Sequence, residues 1–167
     1  MIDPNGSGSH LITRDGRSLN PVWGRVGIAF DHERLRKDAE PASQVWLMAS
    51  DGSRRRQLTA LPIPRLREGL RPTAFSAGGG VLLAQYEGQN IDQAWIVSVP
   101  SGRATALGPA LTAASLSRDG SAALVDRGGF LNPPDHGVVE SLPLGPGRPT
   151  GPAHILAVRG SEPSWNA

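Results

Sequence analysis

The sequence has no cysteine among its 167 residues. This absence excludes disulfide bonds, metal sites built on thiolates and cysteine nucleophiles. Apolar positions three and four residues apart do not recur over any long stretch, so no long helix is predicted. The start, MIDPNGSGSH, has neither a basic segment nor an apolar run, and we predict no secretory signal and no membrane insertion. We expect residues 1–10 to form a flexible amino-terminal segment and residues 11–167 to form the folded part.

Excess charge of one sign is nearly absent. The chain carries 17 basic and 15 acidic residues, a formal net charge of +2. With so little excess charge we predict no nucleic-acid partner. The one basic run, Arg54, Arg55 and Arg56, follows an Asp-Gly turn, and we expect it to be a solvated loop and strand edge.

Motifs that would carry catalysis are also missing. The sequence contains no G-x-S-x-G, no H-x-x-x-H and no EF-hand pattern. The glycine run 78–80 is not followed by a helix that could hold a phosphate. His154 stands in an apolar run, which is typical of a strand residue. We therefore predict no catalytic residue, no cofactor and no metal site, and interpret the chain as a protein that is not an enzyme.

Turn-forming residues are abundant. The 21 glycines and 15 prolines exceed a fifth of the chain, a proportion typical of many short strands joined by turns. The runs at 27–30 and 122–125 mix small and bulky apolar residues, as expected of strands buried on both faces. Asp51-Gly52 and Asp119-Gly120 supply the residue of positive φ that a tight hairpin needs.

A sequence cassette recurs along the chain. The run Gln44–Gly52 aligns with Gln93–Gly102, and each contains Gln-x-Trp followed by a turn. The cassette openings, Trp23, Phe75, Leu116 and Trp165, are 52, 41 and 49 residues apart. Repeats of this length predict an all-β chain, a β-propeller made of four-stranded antiparallel blades. Because Trp23, Trp46, Trp95 and Trp165 recur at matching cassette positions, we expect them to pack between blades.

These residues resemble the repeat of the TolB-like β-propellers, which are related to WD-type blades. That repeat is approximately P-x-W-S-P-D-G-x-x-I-A-F, a loop, then I-Y-V-M-x-x-D-G and a polar stretch ending in L-T. The matching segments here are Pro21–Trp23, Gly27–Phe30, Val45–Met48, Asp51–Gly52 and Arg56–Thr59. The resemblance covers about Leu11 to Trp165. Members of this group are often exported in bacteria and engage protein partners, so it implies a scaffold or binding role in an extracytoplasmic compartment.

The number of cassettes predicts a partial propeller. A closed ring of this kind usually has roughly six or seven blades. Three cassettes with partial ends give about three to four blades. The chain is then a piece of a longer protein or completes a ring by self-association, and we expect a piece, because the last cassette has only begun at Trp165.

Strand direction brings several polar segments to one rim of such a propeller. The loops between the second and third strands and the connections between blades share this rim, which places segments 31–43, 60–71, 87–92 and 126–136 together. As loops on a rigid scaffold, they are the candidate binding surface. The candidate binding residues are Asp31, His32, Glu33, Glu87, Asp92, Asp126, Asp135 and His136. A protein or peptide partner is favoured over a metal ion.

Two functions of different class follow. The first is a non-catalytic binding or scaffold module that contacts a protein or ligand through its rim. The alternative is the accessory gating propeller of a serine peptidase of the prolyl-oligopeptidase type, whose catalytic domain is not in this chain. A propeller enzyme with its site at the same rim is a third, weaker candidate, since one propeller fold hosts many functions.

Overall fold

Strands make up all of the regular structure in the computed structural model. It describes residues 10–37, 39–88, 91–128, 137–145, 148–158 and 164. Within these ranges the chain forms thirteen strands and no helix. Neighbouring strands pair antiparallel within three units, here called blades 1, 2 and 3, the first two of which are hydrogen-bonded into one eight-stranded sheet. The predicted all-β fold of four-stranded antiparallel blades is confirmed.

Each blade is one up-and-down run of strands. Blade 1 contains β1 (Ser18–Gly24), β2 (Gly27–Arg36), β3 (Ala39–Met48) and β4 (Arg56–Gln57). Blade 2 contains β5 (Arg67–Phe75), β6 (Val81–Gly88), β7 (Ile91–Ser98) and β8 (Ala104–Ala106). Blade 3 contains β9 (Leu111–Leu116), β10 (Ala122–Arg127) and β11 (Val138–Gly145), with a fourth strand in two pieces, β12 (Arg148–Pro149) and β13 (His154–Val158). Both pieces pair with β11, and a stretch rich in proline and glycine separates them.

Successive blades stack face to face through two apolar layers. One layer joins blades 1 and 2 and includes Val45 and Leu47 of β3 with Leu82 of β6. The other joins blades 2 and 3 and includes Ile96 of β7 with Val125 of β10. The first strands also touch in sequence, β1 against β5 and β5 against β9, so the blades are arranged around their first strands.

The second strand of each blade is buried on both faces, as predicted for segments 27–30 and 122–125. In blade 2, Leu82 packs toward blade 1 while its neighbour Leu83 packs toward blade 3, and both have no exposed surface. Ile28, Ala29 and Phe30 are all at least 98% buried. Such continuous apolar runs are typical of strands covered on both sides.

The tight turns lie at the rim opposite the predicted binding surface. Gly52 has φ of 84° and Gly120 has φ of 76°, a region that side chains with a Cβ rarely adopt. In both turns the preceding aspartate accepts a hydrogen bond from the backbone N–H two residues on, at 2.9 Å for Asp51 and 3.0 Å for Asp119. The predicted Asp-Gly hairpin chemistry is confirmed.

The tryptophans only partly match the prediction that they pack between blades. Trp95 is half-buried and packs against the layer between blades 1 and 2, as predicted. Trp46 instead packs with Ile28 and Phe30 on the face of blade 1 that points away from blade 2. Trp23 is 56% exposed, so its predicted packing between blades is wrong. Trp165 lies outside the described residues.

Replacing Trp95 with alanine should lower the free energy of unfolding by about 3 kcal/mol, the lower end for buried aromatics, because the ring is only half-buried. Denaturant unfolding followed by circular dichroism measures this loss. Trp95→Phe should retain most of the stability, since its indole nitrogen is buried without a hydrogen-bond partner among the described residues. Trp23→Ala serves as the exposed control and should change stability by less than about 0.5 kcal/mol. Equal losses for Trp95→Ala and Trp23→Ala would contradict the assignment.

Candidate functional site

The predicted rim residues that the structure describes lie within strands, not in loops. Asp31, His32 and Glu33 belong to β2, which continues to Arg36 and pairs with β3 almost to its end. Glu87 and Asp92 face each other across β6 and β7. Asp126 belongs to β10. Polar side chains in these segments resemble a loop signal in the sequence, whereas the backbone pairing of the strands continues through them.

A cleft between blades 1 and 2 brings several of these residues together. Its volume is about 320 Å³, and here it is called the acidic cleft. Blade 1 contributes side chains from β1, β2 and β3, and blade 2 contributes side chains from β5 and β6. Its charged lining residues are Asp31, Glu33, Glu68, Arg71 and Glu87. Four carboxyl groups therefore face one guanidinium among the described lining residues.

Asp31 is the most deeply buried of these carboxyl groups. Only 4% of the residue is exposed, and its Oδ1 has no hydrogen-bond partner among the described residues. Burial raises the pKa of Asp31 above its ordinary value, because desolvation disfavours the charged form. Hydrogen bonds from Asn20 and Ser43 and the charge of Arg71 oppose this rise in pKa.

Glu87 is the carboxylate that Arg71 neutralises. Nη2 of Arg71 lies 2.6 Å from Oε1 of Glu87. Burial still raises the pKa of Glu87, and the neighbouring carboxyl groups of Glu68, Asp92 and Asp31 add to the rise. Asp31 and Glu87, from different blades, therefore influence each other electrostatically across the cleft.

Two backbone segments that line the acidic cleft approach each other closely. Gly69 of β5 forms a parallel pair with Ser43 of β3, which joins blades 1 and 2. Its φ is 101°, and a Cβ built there would collide with the backbone carbonyl oxygen of Ser43. Glycine is therefore required for the two blades to meet at this distance.

His32 points away from the acidic cleft, because neighbouring residues of a strand face opposite sides. Its ring packs edge-on against Trp46 with centroids 5.3 Å apart, and Nδ1 lies 2.8 Å from Nη2 of Arg55. The Arg55 guanidinium lies over Phe30 and Trp46, at 5.0 and 5.2 Å from the ring centroids, and pairs with Asp15. Arg55 makes these contacts while it stays exposed like Arg54 and Arg56, so the basic run lies in a solvated loop and strand edge, as expected.

The structure brings three of the eight predicted residues, Asp31, Glu33 and Glu87, to the acidic cleft. Asp92 influences Glu87 from the paired strand, and Asp126 lies on blade 3. Asp135 and His136 lie outside the described residues. Four further polar lining residues were not named as candidates: Asn20, Ser43, Glu68 and Arg71, the last three of which lie in segments 31–43 and 60–71 of the predicted binding surface. Strand alternation in segments 18–24, 39–48 and 67–75 is the signal that would have found them.

Among the described residues, no group of three or more histidine, aspartate or glutamate side chains is placed to hold a metal ion. A helix long and apolar enough to cross a membrane is likewise not found in the part of the chain that the structure describes.

The pKa of Asp31 is raised and that of Asp119 is lowered, so the two carboxyl groups should make stability depend on pH in opposite directions. The raised pKa of Asp31 means that the folded state loses stability as pH rises from about 3.8 through the raised value. Hydrogen bonds from the backbone N–H and the hydroxyl of Ser121 lower the pKa of Asp119 to about 2, so its contribution is lost as pH falls through that value.

Asp31→Asn should therefore raise the free energy of unfolding at pH 7 and remove part of its decline above pH 4. Asp119→Asn is the matched control and should lower stability at pH 7. Urea unfolding from pH 2.5 to 8 measures both profiles. A lower stability of Asp31→Asn at pH 7 would contradict the assignment of Asp31 as a desolvated carboxyl group.

Comparison with known proteins supports the architecture. No family model and no curated protein matches the sequence. Among solved structures, TolB from Acinetobacter baumannii superposes with a TM-score of 0.64 at 16% sequence identity. The match covers 96% of this chain and 37% of the TolB chain, so this chain spans little more than a third of that protein's length. At this identity the likeness concerns the fold alone, and the chain has a TolB-like fold, that of a partial β-propeller.

Proposed function

We propose that the chain is a non-catalytic binding module that holds a protein or peptide segment at its rim, in the acidic cleft. The observation that carries this proposal is the convergence of carboxyl groups from two blades on one cleft of about 320 Å³. Small-ligand pockets have volumes of about 300–1,000 Å³, so the cleft is large enough for one or two side chains of a partner.

Hydrogen bonds hold the connection between blades 1 and 2 that leads into the acidic cleft at Glu68. The guanidinium of Arg36 donates hydrogen bonds of 2.8–3.2 Å to the backbone carbonyls of Ile63, Pro64, Arg65 and Arg67. These bonds fix the connection between blades 1 and 2 at this rim. A site that is already ordered loses little conformational entropy on binding.

The charge of the cleft selects the partner. Carboxyl groups outnumber basic groups four to one among its described lining residues. A basic segment is attracted to such a surface, and an acidic segment is repelled. The favoured partner is therefore an exposed, positively charged segment of another protein.

The other expectations are not favoured by a specific observation. The gating role beside a peptidase domain stays a prediction, because no described residue bears on it. Completion of a ring by self-association also stays a prediction.

Charge reversal on the walls of the cleft tests the proposed function. The peptides are an alternating Ala-Lys peptide, an alternating Ala-Glu peptide and a neutral Gly-Ser peptide of equal length, titrated by NMR into isotopically labelled protein. The Ala-Lys peptide should shift the amide signals of residues 67–71 selectively. The double variant Glu33→Lys/Glu68→Lys should weaken binding at least tenfold, because two attractive charges become repulsive.

Asp51→Lys, at the opposite rim, is the control and should leave the affinity within about twofold. Melting temperatures verify that the variants fold. Binding that survives the double reversal, or peptide-induced shifts confined to other surfaces, would overturn the proposal that this cleft is the binding site.

A further inference from the structure

The acidic cleft contains a buried acceptor for which the facing blade provides no donor. A comparison of equivalent positions in blades 1 and 2 explains why. Asp31 follows the β2 residue that pairs with Trp46, and Gln85 follows the β6 residue that pairs with Trp95. Asp31 and Gln85 therefore occupy the same position in their blades, and each faces the next blade.

In blade 2 this position is satisfied by the next blade. Gln85 is 1% exposed, and its Oε1 accepts a hydrogen bond of 2.6 Å from the backbone N–H of Ala113 in β9. Ala113 pairs with Val125, which stands five residues after its turn glycine. The side chain of the second strand thus binds the first strand of the following blade.

In blade 1 the corresponding donor does not exist. The turn glycine of blade 2 is Gly79. The residue five positions after it is Ala84, which pairs with Pro72 of β5. Proline has no backbone N–H. Asp31 therefore cannot receive from β5 the hydrogen bond that Gln85 receives from β9, and Oδ1 has no partner among the described residues.

We propose that the acidic cleft binds a primary ammonium or guanidinium group, which donates an N–H to Asp31 and is attracted by Glu33, Glu68 and Glu87. The inference rests on the proposed function and names the chemical group that the site recognises. A lysine or arginine side chain of a partner carries such a group.

A cationic N–H donor fits the cleft better than a metal ion or a neutral donor. Glu87 already forms an ion pair with Arg71, the one basic residue among the described lining residues. The other three carboxyl groups therefore leave the cleft with a net negative charge. Among the described residues no group of acidic side chains has the arrangement of a metal site. Asp31 lines the cleft, and its Oδ1 has no hydrogen-bond partner among the described residues, so an N–H donor that enters the cleft competes with no existing bond at this atom.

Small probes separate this inference from the proposed function. The probe is Nα-acetyl-lysine methylamide, and the neutral probe of similar shape is Nα-acetyl-norleucine methylamide. Titration followed by NMR should show binding of the lysine probe, with shifts of the amide signals of residues 68–71, and at least tenfold weaker binding of the norleucine probe.

Two variants test the two halves of this inference separately: one alters the acceptor, and the other adds the backbone donor that blade 2 lacks. Asp31→Asn removes the charge and should weaken binding of the lysine probe about tenfold or more. Pro72→Ala restores a backbone N–H opposite Asp31 without changing the charge of the cleft, and should also weaken binding severalfold. Asp119→Asn, at the opposite rim, should have no effect.

Binding of the lysine probe that is unchanged in both Asp31→Asn and Pro72→Ala would overturn the inference. Equal binding of the norleucine probe, or displacement of the lysine probe by equimolar Ca²⁺, would overturn it as well. If the Ala-Lys peptide binds at the cleft but the lysine probe is insensitive to Asp31→Asn, only the ammonium site fails. If the lysine probe binds and no peptide does, the proposed protein-binding function fails.

Discussion

Burial of apolar strand faces between successive blades is the constraint on which the rest of the structure depends. The second strand of blade 2 shows it most directly, because Leu82 packs toward blade 1 and Leu83 toward blade 3, both without exposed surface. A single blade cannot bury both of its faces, so each needs its neighbours. The polar residues Asp31 and Gln85 lie where this apolar stacking ends, near the rim.

The same position in each second strand carries a polar residue at that boundary. Gln85 uses it to hold the first strand of blade 3 through the N–H of Ala113. Asp31 faces Pro72 across the corresponding junction and lacks this bond. At Asp126, Oδ1 is likewise buried without a partner among the described residues, and burial raises its pKa. This position therefore links two blades where a backbone N–H faces it, as at Gln85. Where a proline faces it, as at Asp31, it leaves a carboxylate oxygen without a hydrogen bond.

The sequence predicted the fold better than the site. The number of blades and the antiparallel direction of their strands followed from the spacing of the cassettes. The Asp-Gly turns followed from local turn chemistry, which depends on neighbouring residues. The acidic cleft depends on contacts between blades, and four of its polar lining residues that were not named as candidates, Asn20, Ser43, Glu68 and Arg71, belong to strands whose polar segments resemble loops. His32 shows the same difficulty in reverse, because its neighbours Asp31 and Glu33 line the cleft while strand alternation directs its ring to Trp46.

The acidic cleft is one of the places where the chain departs from the rules that stabilise a fold; Trp95 and Asp126 are others, each with a buried polar atom that has no partner among the described residues. A desolvated carboxyl group with one oxygen lacking a hydrogen bond lowers the stability of the folded state, and an apolar or amide side chain at position 31 would remove that charge. Gly69 adds a second local requirement, since its φ of 101° and its contact with Ser43 exclude a Cβ. Both departures occur at one junction, whereas the equivalent junction of blades 2 and 3 satisfies its polar side chain. Such local violations of folding rules are typical of functional sites, and here they coincide with the surface where two blades supply excess carboxyl groups. The physical case for a binding role rests on this coincidence, because stacking of the blades alone requires neither the charge nor the unmet acceptor.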